Sequence, residues 1–413
     1  MVKIKAFNAL RPQNRFVEKV AALPYDVMNY EEAKSMAKGN PYSFLHVDRA
    51  EIDFNEVIDP YNAKVYEKAK DNLNNLINKN IFIKDDKPNI YIYRQIMNGR
   101  VQTGIVCCTA IDDYINGFIK KHEHTREDKE KDRIKHVDSC NANTGPIFLT
   151  YKKNIEINNI IDNETKNSPL YNFNTEDGIT HIAWVIEKEE IIQKLTILFE
   201  KIDSLYIADG HHRAAAAVKV GIERRKENVN YKNEKFNYFL SVLYPDKELK
   251  IFDYNRVVKD LNGLTLEKLL NDISENFEID KLDDKTPFKP SEKHTFGMYV
   301  ENSWYKLKAK NGTFSDKDAV ESLDVSILQN NLLSPVLGIN EPRKDKRIDF
   351  VGGIRGLDGL VERVRTDMKI AFSLYPTTID ELMRIADEGK VMPPKSTWFE
   401  PKIRSGIFIH TLN

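Results

Sequence analysis

At 413 residues the chain is long enough for two or three domains, or for one large core with insertions. Hydrophobic residues make up 41% and charged residues 30%, the balance of a globular chain rather than a disordered or fibrous one. The net charge of −1 gives no basic field for nucleic acid, no run is apolar and long enough to span a bilayer, and the opening Met1-Val-Lys-Ile-Lys-Ala-Phe lacks a signal-peptide core.

A cytoplasmic protein with neither nucleic acid nor membrane as partner is therefore expected. Three cysteines without a C-x-x-C fit a reducing compartment and give no support to a zinc ribbon or dithiol site.

Residues 4–7 read as a strand. Leu23-Pro-Tyr-Asp-Val-Met is a loop, followed by a helix over 30–38 that stops at Gly39. Asp26 lies between strand and helix, a usual place for a catalytic carboxylate and equally for a turn-former. Residues 60–78 are helical. Residues 90–96 and 101–110 form a hairpin across Asn98-Gly99, with Cys107 and Cys108 buried in its second strand.

Lys120-Lys-His-Glu-His-Thr-Arg-Glu-Asp-Lys concentrates titratable groups. His122 and His124 alternate, so on an extended segment they share a face. Thr125 is placed to cap the next helix, with Asp128 at the capping-box position. His-x-His has no third ligand at a telling spacing, so it does not define a metal site. His122, Glu123 and His124 read as site residues, 127–133 as a solvated helix start, and Cys140 as a helix end.

Strands follow at 147–151 and 181–186, then a helix at 189–201. The stretch Leu205-Tyr-Ile-Ala-Asp-Gly-His-His-Arg-Ala-Ala-Ala-Ala-Val-Lys-Val-Gly221 is a buried strand, an Asp209-Gly210 turn, and a helix stopped by Gly221. A helix opening carries unpaired N–H groups and the positive end of the dipole, where cations are disfavoured. Two histidines and Arg213 at that end point to an anion, and Gly210 lets it approach the backbone.

Further on come a strand at 239–244, a hairpin at 296–300 and 304–308, and a helix at 325–333. Val351-Gly-Gly-Ile-Arg-Gly is a strand-to-helix turn without Walker A or dinucleotide spacing. After a strand at 369–374, Thr378 caps a helix with Glu381, ending at Gly389. Met392-Pro-Pro-Lys-Ser-Thr is a stiff loop presenting Lys395, Ser396 and Thr397, groups suited to a phosphate or carboxylate. Residues 406–411 close the chain as a strand. The irregular alternation is that of an α/β or α+β fold with mixed sheets and helices.

Asp209-Gly-His-His-Arg resembles the nucleotide-binding turn of the ParB/sulfiredoxin superfamily, and most closely that of its free L-serine kinases. The whole chain resembles a bacterial and archaeal family with Pro-Tyr-Asp-Val, His-Glu-His-Thr, Asp-Gly-His-His-Arg and Met-Pro-Pro-Lys-Ser-Thr, here at 24–27, 122–125, 209–213 and 392–397.

The resemblance implies a ParB/sulfiredoxin-like nucleotide-binding core built from about 1–50 and 200–260. Residues 51–199 would be an insertion or second lobe and 261–413 a C-terminal α/β region, all in one composite catalytic unit. It implies a kinase that phosphorylates L-serine to O-phosphoserine, using ATP or ADP with Mg²⁺, in serine biosynthesis. Asp26, Asp209 and His211 would be catalytic, and Gly210, His212, Arg213, His122 and His124 would bind nucleotide. Glu123, Lys395, Ser396 and Thr397 would bind substrate. Sulfiredoxins carry a cysteine within this turn where histidine stands here, so sulfinic acid reduction is not expected. Two alternatives stay open: a CTP- or ATP-binding regulator without turnover, and a kinase for another small hydroxylated metabolite. A homodimer also stays open.

Overall fold

The computed structural model describes residues 1–228, 230–283 and 286–413. The chain forms two compact units: Met1–Leu249 with Pro401–Asn413, and Lys250–Glu400.

The first unit is built on a nine-stranded sheet. In chain order its strands are β1 (Ile4–Lys5), β2 (Ile90–Met97), β3 (Arg100–Ala110), β4 (Ile119–Lys120), β5 (Ile147–Tyr151), β6 (Tyr171–Asn174), β7 (Thr180–Ile186), β8 (Leu205–Asp209) and β9 (Tyr238–Pro245). Their spatial order is β4-β8-β5-β9-β3-β2-β7-β6, with β1 paired to β3. The pairs β8/β4 and β9/β5 are parallel and the others antiparallel, so the sheet is mixed. The β2–β3 hairpin turns on Asn98 (φ 52°) and Gly99 (φ 76°), the two left-handed residues that a tight hairpin needs.

Helices of this unit include α1 (Tyr30–Ala37), α2 (Ala63–Asn78), α3 (Glu127–Cys140), α4 (Glu189–Glu200) and α5 (His211–Glu227). Ile147 and Leu149 of β5 and Leu205 and Ile207 of β8 pack with Leu195 and Phe199 of α4 and with Ala214 and Val218 of α5. Short alanines let α5 lie close to the sheet, as the run 214–217 suggests. β8 slips one residue against β5 between Ile207 and Asp209. Such a bulge re-aims the side chains beyond it, here those at the Asp209-Gly210 turn.

The second unit holds a six-stranded antiparallel sheet: β10 (Tyr254–Val258), β11 (Phe277–Lys281), β12 (Thr295–Val300), β13 (Ser303–Ala309), β14 (Ile348–Gly352) and β15 (Ile370–Leu374), in the order β11-β13-β12-β15-β10-β14. Leu360, on a helix over Asp358–Thr366, packs on Val257 and Ala371. Thr378 and Glu381 form the expected capping box. Among the described residues no helix is long and apolar enough to cross a membrane.

Several expectations change. Residues 51–199, expected as an insertion or second lobe, supply β2 to β7 of the same sheet that holds the Asp209 strand. The strand expected over 406–411 narrows to His410–Thr411, paired with Ala142–Asn143. Gly221 does not stop its helix, because α5 runs on to Glu227. A Cβ at Gly221 would stand 2.6 Å from both Ile111 Cδ1 and the Phe236 carbonyl, so close packing, not termination, requires glycine.

Candidate functional site

Gly210 is the N-cap of α5, with φ 93° and ψ 33°. Arg213, one turn on, folds back across it. A Cβ on residue 210 would lie 3.0–3.1 Å from Arg213 Nε, Cζ and Nη2. The backbone angle demands glycine, and a side chain here would also press on the Arg213 guanidinium. The guanidinium donates through Nη1 to the Pro146 carbonyl (2.6 Å) and sits 3.5 Å from Asp209 Oδ2 through Nη2. Its Nε is buried without a hydrogen-bond partner. Gly210→Ala is expected to cost about 1–3 kcal/mol of stability, read from urea unfolding, and to displace Arg213.

His211 and His122 form a buried edge-to-face pair, ring centroids 4.5 Å apart. His211 Nε2 is buried and unpartnered. Burial pushes His122 down to about 4, opposed by the Asp209 charge. Burial pushes His211 well below the usual imidazole range, reinforced by His122, His212 and Lys121. His211 Nδ1 is 3.9 Å from Glu123 Oε2.

His212 is also lowered by burial, with Asp26 opposing and Arg126 and Lys129 reinforcing. Its Nε2 accepts the backbone N–H of Arg126 (3.0 Å), so the neutral ring carries its proton on Nδ1. The imidazoles expected to add positive charge are therefore neutral hydrogen-bonding groups at pH 7. Two fixed cations stand near Asp209: Arg213, and Lys402, whose Nζ lies 3.7 Å from Asp209 Oδ2.

A pH dependence follows. His122, His181, His211 and His410 are buried with pKa values lowered by burial, to about 4, about 3, well below normal and about 4 respectively. The unfolded chain binds these protons first, so the stability they contribute is complete above pH 6.5. It is lost as pH falls through the folded values near 4 and 3. His122 alone couples about 3 kcal/mol to this loss. Urea unfolding from pH 7 to pH 4 should show falling stability, with a shallower fall in His122→Gln.

The early loop reaches the same place. Tyr25 is buried, and its hydroxyl is raised by burial and by Asp26, opposed by Arg133 and Arg213. Tyr25, Arg133 and Arg213 line one cavity of about 20 Å³, room for a single water. Asp26 is exposed, yet its charge acts on His212 and Tyr25. Arg49 fixes this loop by donating to the carbonyls of Tyr25 (2.9 Å) and Met28 (2.7 Å), and is itself held by Glu51 (2.6 Å).

The start of α3 differs from the capping box expected there. Its N-cap is Arg126, without a side-chain cap. Thr125 instead donates to Glu130 (2.8 Å), which also pairs with Lys219. Nor is 127–133 solvated throughout: Glu130, Asp132 and Arg133 are buried, and the Arg133 guanidinium lies 3.9 Å from the Tyr25 ring centroid.

The site residues divide between the units. His122, Glu123, Asp209, His211, His212 and Arg213 come together in the first, with Asp26 acting on them through its charge. His124 stands exposed beside them in sequence. Lys395, Ser396 and Thr397 belong to the second unit. Lys395 has a left-handed backbone (φ 58°) and its ammonium is 5.7 Å from the Tyr254 ring centroid. The Ser396 hydroxyl donates to the Pro393 carbonyl (2.6 Å), so it shapes its own loop. Sequence reasoning missed Lys402, Arg133 and Arg49. Only Lys402 left a signal, since Pro401-Lys402 continues the stiff segment begun at Met392.

A family model described as "Protein of unknown function (DUF1015)" matches residues 4–326. No curated protein sequence matches the chain. Among solved structures, a free serine kinase in complex with AMP is similar at 14% identity, covering 74% of this chain and 91% of that one, with a TM-score of 0.37. A conserved hypothetical protein from Pyrococcus furiosus matches at 15% identity over 74% and 94%, TM-score 0.37. SbnI with C-terminal truncation from Staphylococcus aureus matches at 10% over 71% and 82%, TM-score 0.32. TM-scores this low do not transfer an activity.

Proposed function

The chain belongs to the DUF1015 family, and we propose that it is a nucleotide-dependent kinase that phosphorylates free L-serine to O-phosphoserine, with ATP or ADP as donor. The observation that carries this reading is Arg213 folded over a left-handed glycine at the start of a 17-residue helix, its Nε buried and unpartnered. An unpaired guanidinium N–H beside free helix amides is a site for an oxyanion. The Asp-Gly-His-His-Arg resemblance makes that oxyanion a nucleotide phosphate. Because Arg213 Nε is buried, phosphate contact there requires the Arg213 side chain to shift.

In the reaction the serine Oγ attacks the terminal phosphorus. An O–P bond forms, the bond to the donor's bridging oxygen breaks, and the hydroxyl proton passes to a carboxylate, for which we assign Asp26. Gly210, His212 and Arg213 hold phosphate oxygens, with His122, His124 and the neutral His211 as hydrogen-bonding groups around them. Glu123 faces the serine ammonium. To Asp209 we assign a role beside the reacting hydroxyl or its metal.

Among the described residues no three or more His, Cys, Asp or Glu side chains group closely enough to hold a metal unaided. Mg²⁺ commonly takes one or two carboxylates plus phosphate oxygens. When bound, it would neutralise charge on the phosphates, and Asp209 is the carboxylate for it.

A panel of hydroxylated metabolites with nucleotide and Mg²⁺, followed by mass spectrometry, tests the acceptor. Serine is expected to be the substrate phosphorylated fastest. Tight nucleotide binding with no phosphorylated product would overturn the kinase and leave a regulator.

A further inference from the structure

We infer that Arg256 is the receptor for a small carboxylate in the second unit, bound beneath the loop 393–397. The inference does not rest on the nucleotide reading, because every residue it uses belongs to Lys250–Glu400. Side chains alternate along β10. Val257 packs with Leu360 on one face, and Tyr254 and Arg256 take the other. Phe350 of β14 and Phe372 of β15 stand directly opposite Arg256, so they share its face. Arg256 is 3% exposed. A guanidinium so buried ordinarily faces a carboxylate, because an unpaired buried charge is costly. Here it donates to the carbonyls of Tyr254 and Pro394, and its Cζ lies 5.3 Å from the Phe350 ring centroid. Among the described residues no carboxylate pairs with it. Burial lowers its pKa to about 10, with the Tyr254 hydroxyl opposing.

The Pro394 contact is the weak one. At 3.4 Å it is longer than the roughly 2.7–2.9 Å of a charge-assisted bond, so a carboxylate oxygen that takes its place on Nη2 forms the stronger bond. The loop is built as a clamp. Lys395 holds a left-handed backbone (φ 58°), and strain of that kind gathers at ligand clamps. The Ser396 hydroxyl donates to the Pro393 carbonyl (2.6 Å), and Thr377 donates to the Ser396 carbonyl (3.0 Å), so the strained turn is tied on both sides. Lys395 and Trp398 close over Tyr254, at 5.7 Å and 5.1 Å from its ring centroid. A monoanionic carboxylate matches the single charge of Arg256 and the fork of its N–H groups. The phenylalanines suit the apolar body of such a ligand and disfavour a phosphate dianion, whose dehydration costs more.

The test is calorimetric titration of the full chain with acetate, butyrate and inorganic phosphate at constant ionic strength, for the parent protein, Arg256→Met and Arg256→Gln. Butyrate is expected to bind the parent protein more tightly than acetate, and phosphate not to bind through Arg256. Butyrate affinity should fall about tenfold or more in both variants, the loss of a charge-assisted hydrogen bond. Thermal melting separates misfolding from lost binding. Ligand-free Arg256→Met should melt at or above the parent temperature, because an apolar side chain replaces a buried charge without a carboxylate. Arg256→Gln keeps a donor for the Pro394 carbonyl and guards against a methionine variant that does not fold. Parent protein that binds neither carboxylate overturns the inference, as does unchanged butyrate affinity in either folded variant. Phosphate that binds through Arg256 where the carboxylates do not overturns the ligand class and with it the inference.

Discussion

Arg213→Ala is expected to weaken nucleotide binding by about 1.5–3 kcal/mol, the range for a lost charge-assisted hydrogen bond. The substitution removes the one guanidinium at the start of α5 and leaves the Pro146 carbonyl without its 2.6 Å donor. Some loss of stability accompanies it, so affinity is compared only in folded protein, by calorimetry. Lys at this position keeps a charge but cannot reproduce the fork across Gly210, so Arg213→Lys should recover only part of the affinity. Unchanged affinity in folded Arg213→Ala would remove the turn from the nucleotide site.

The second large effect is on turnover. Asp26→Asn is expected to lower kcat by about 10²–10⁴, the usual contribution of a general base, with nucleotide affinity almost unchanged. Asp26 is exposed, so the substitution should leave the melting temperature near that of the parent protein. Glu123→Gln is the companion variant, because Glu123 approaches His211 of the turn. Loss of turnover in Glu123→Gln with full activity in Asp26→Asn would reassign the base to Glu123.

What was legible in the sequence was local. Asn98-Gly99 needs only its own backbone angles to make a hairpin, and Leu205 to Gly210 followed by a run of alanines spells strand, turn and helix without outside help. What misled depended on distant partners. Gly221 looks like a helix stop until Ile111 and the Phe236 carbonyl arrive from elsewhere in the chain. Thr125 looks like a cap until Glu130 takes its hydroxyl and His212 takes the Arg126 amide. Charged residues at 130, 132 and 133 look solvated until Lys219, Tyr66 and Tyr25 cover them.

The chemistry of the site shows the same division. Asp-Gly-His-His-Arg is contiguous and could be found by inspection. Its electrostatics could not, because neutral histidines are a consequence of burial and of the His122–His211 contact. Lys402 was hidden for the same reason: its relation to Asp209 exists only after the C-terminal segment returns to the first sheet. Ser396 has a second aspect that the sequence does not show: its hydroxyl donates to the Pro393 carbonyl of its own loop.

The most direct measurement is a phosphorus NMR time course of the full chain with L-serine, Mg²⁺ and ATP, repeated with ADP. The account predicts a growing O-phosphoserine resonance with matched loss of the donor's terminal phosphate, abolished by omitting serine. Nucleotide that binds to the protein and remains intact in the presence of serine would contradict it.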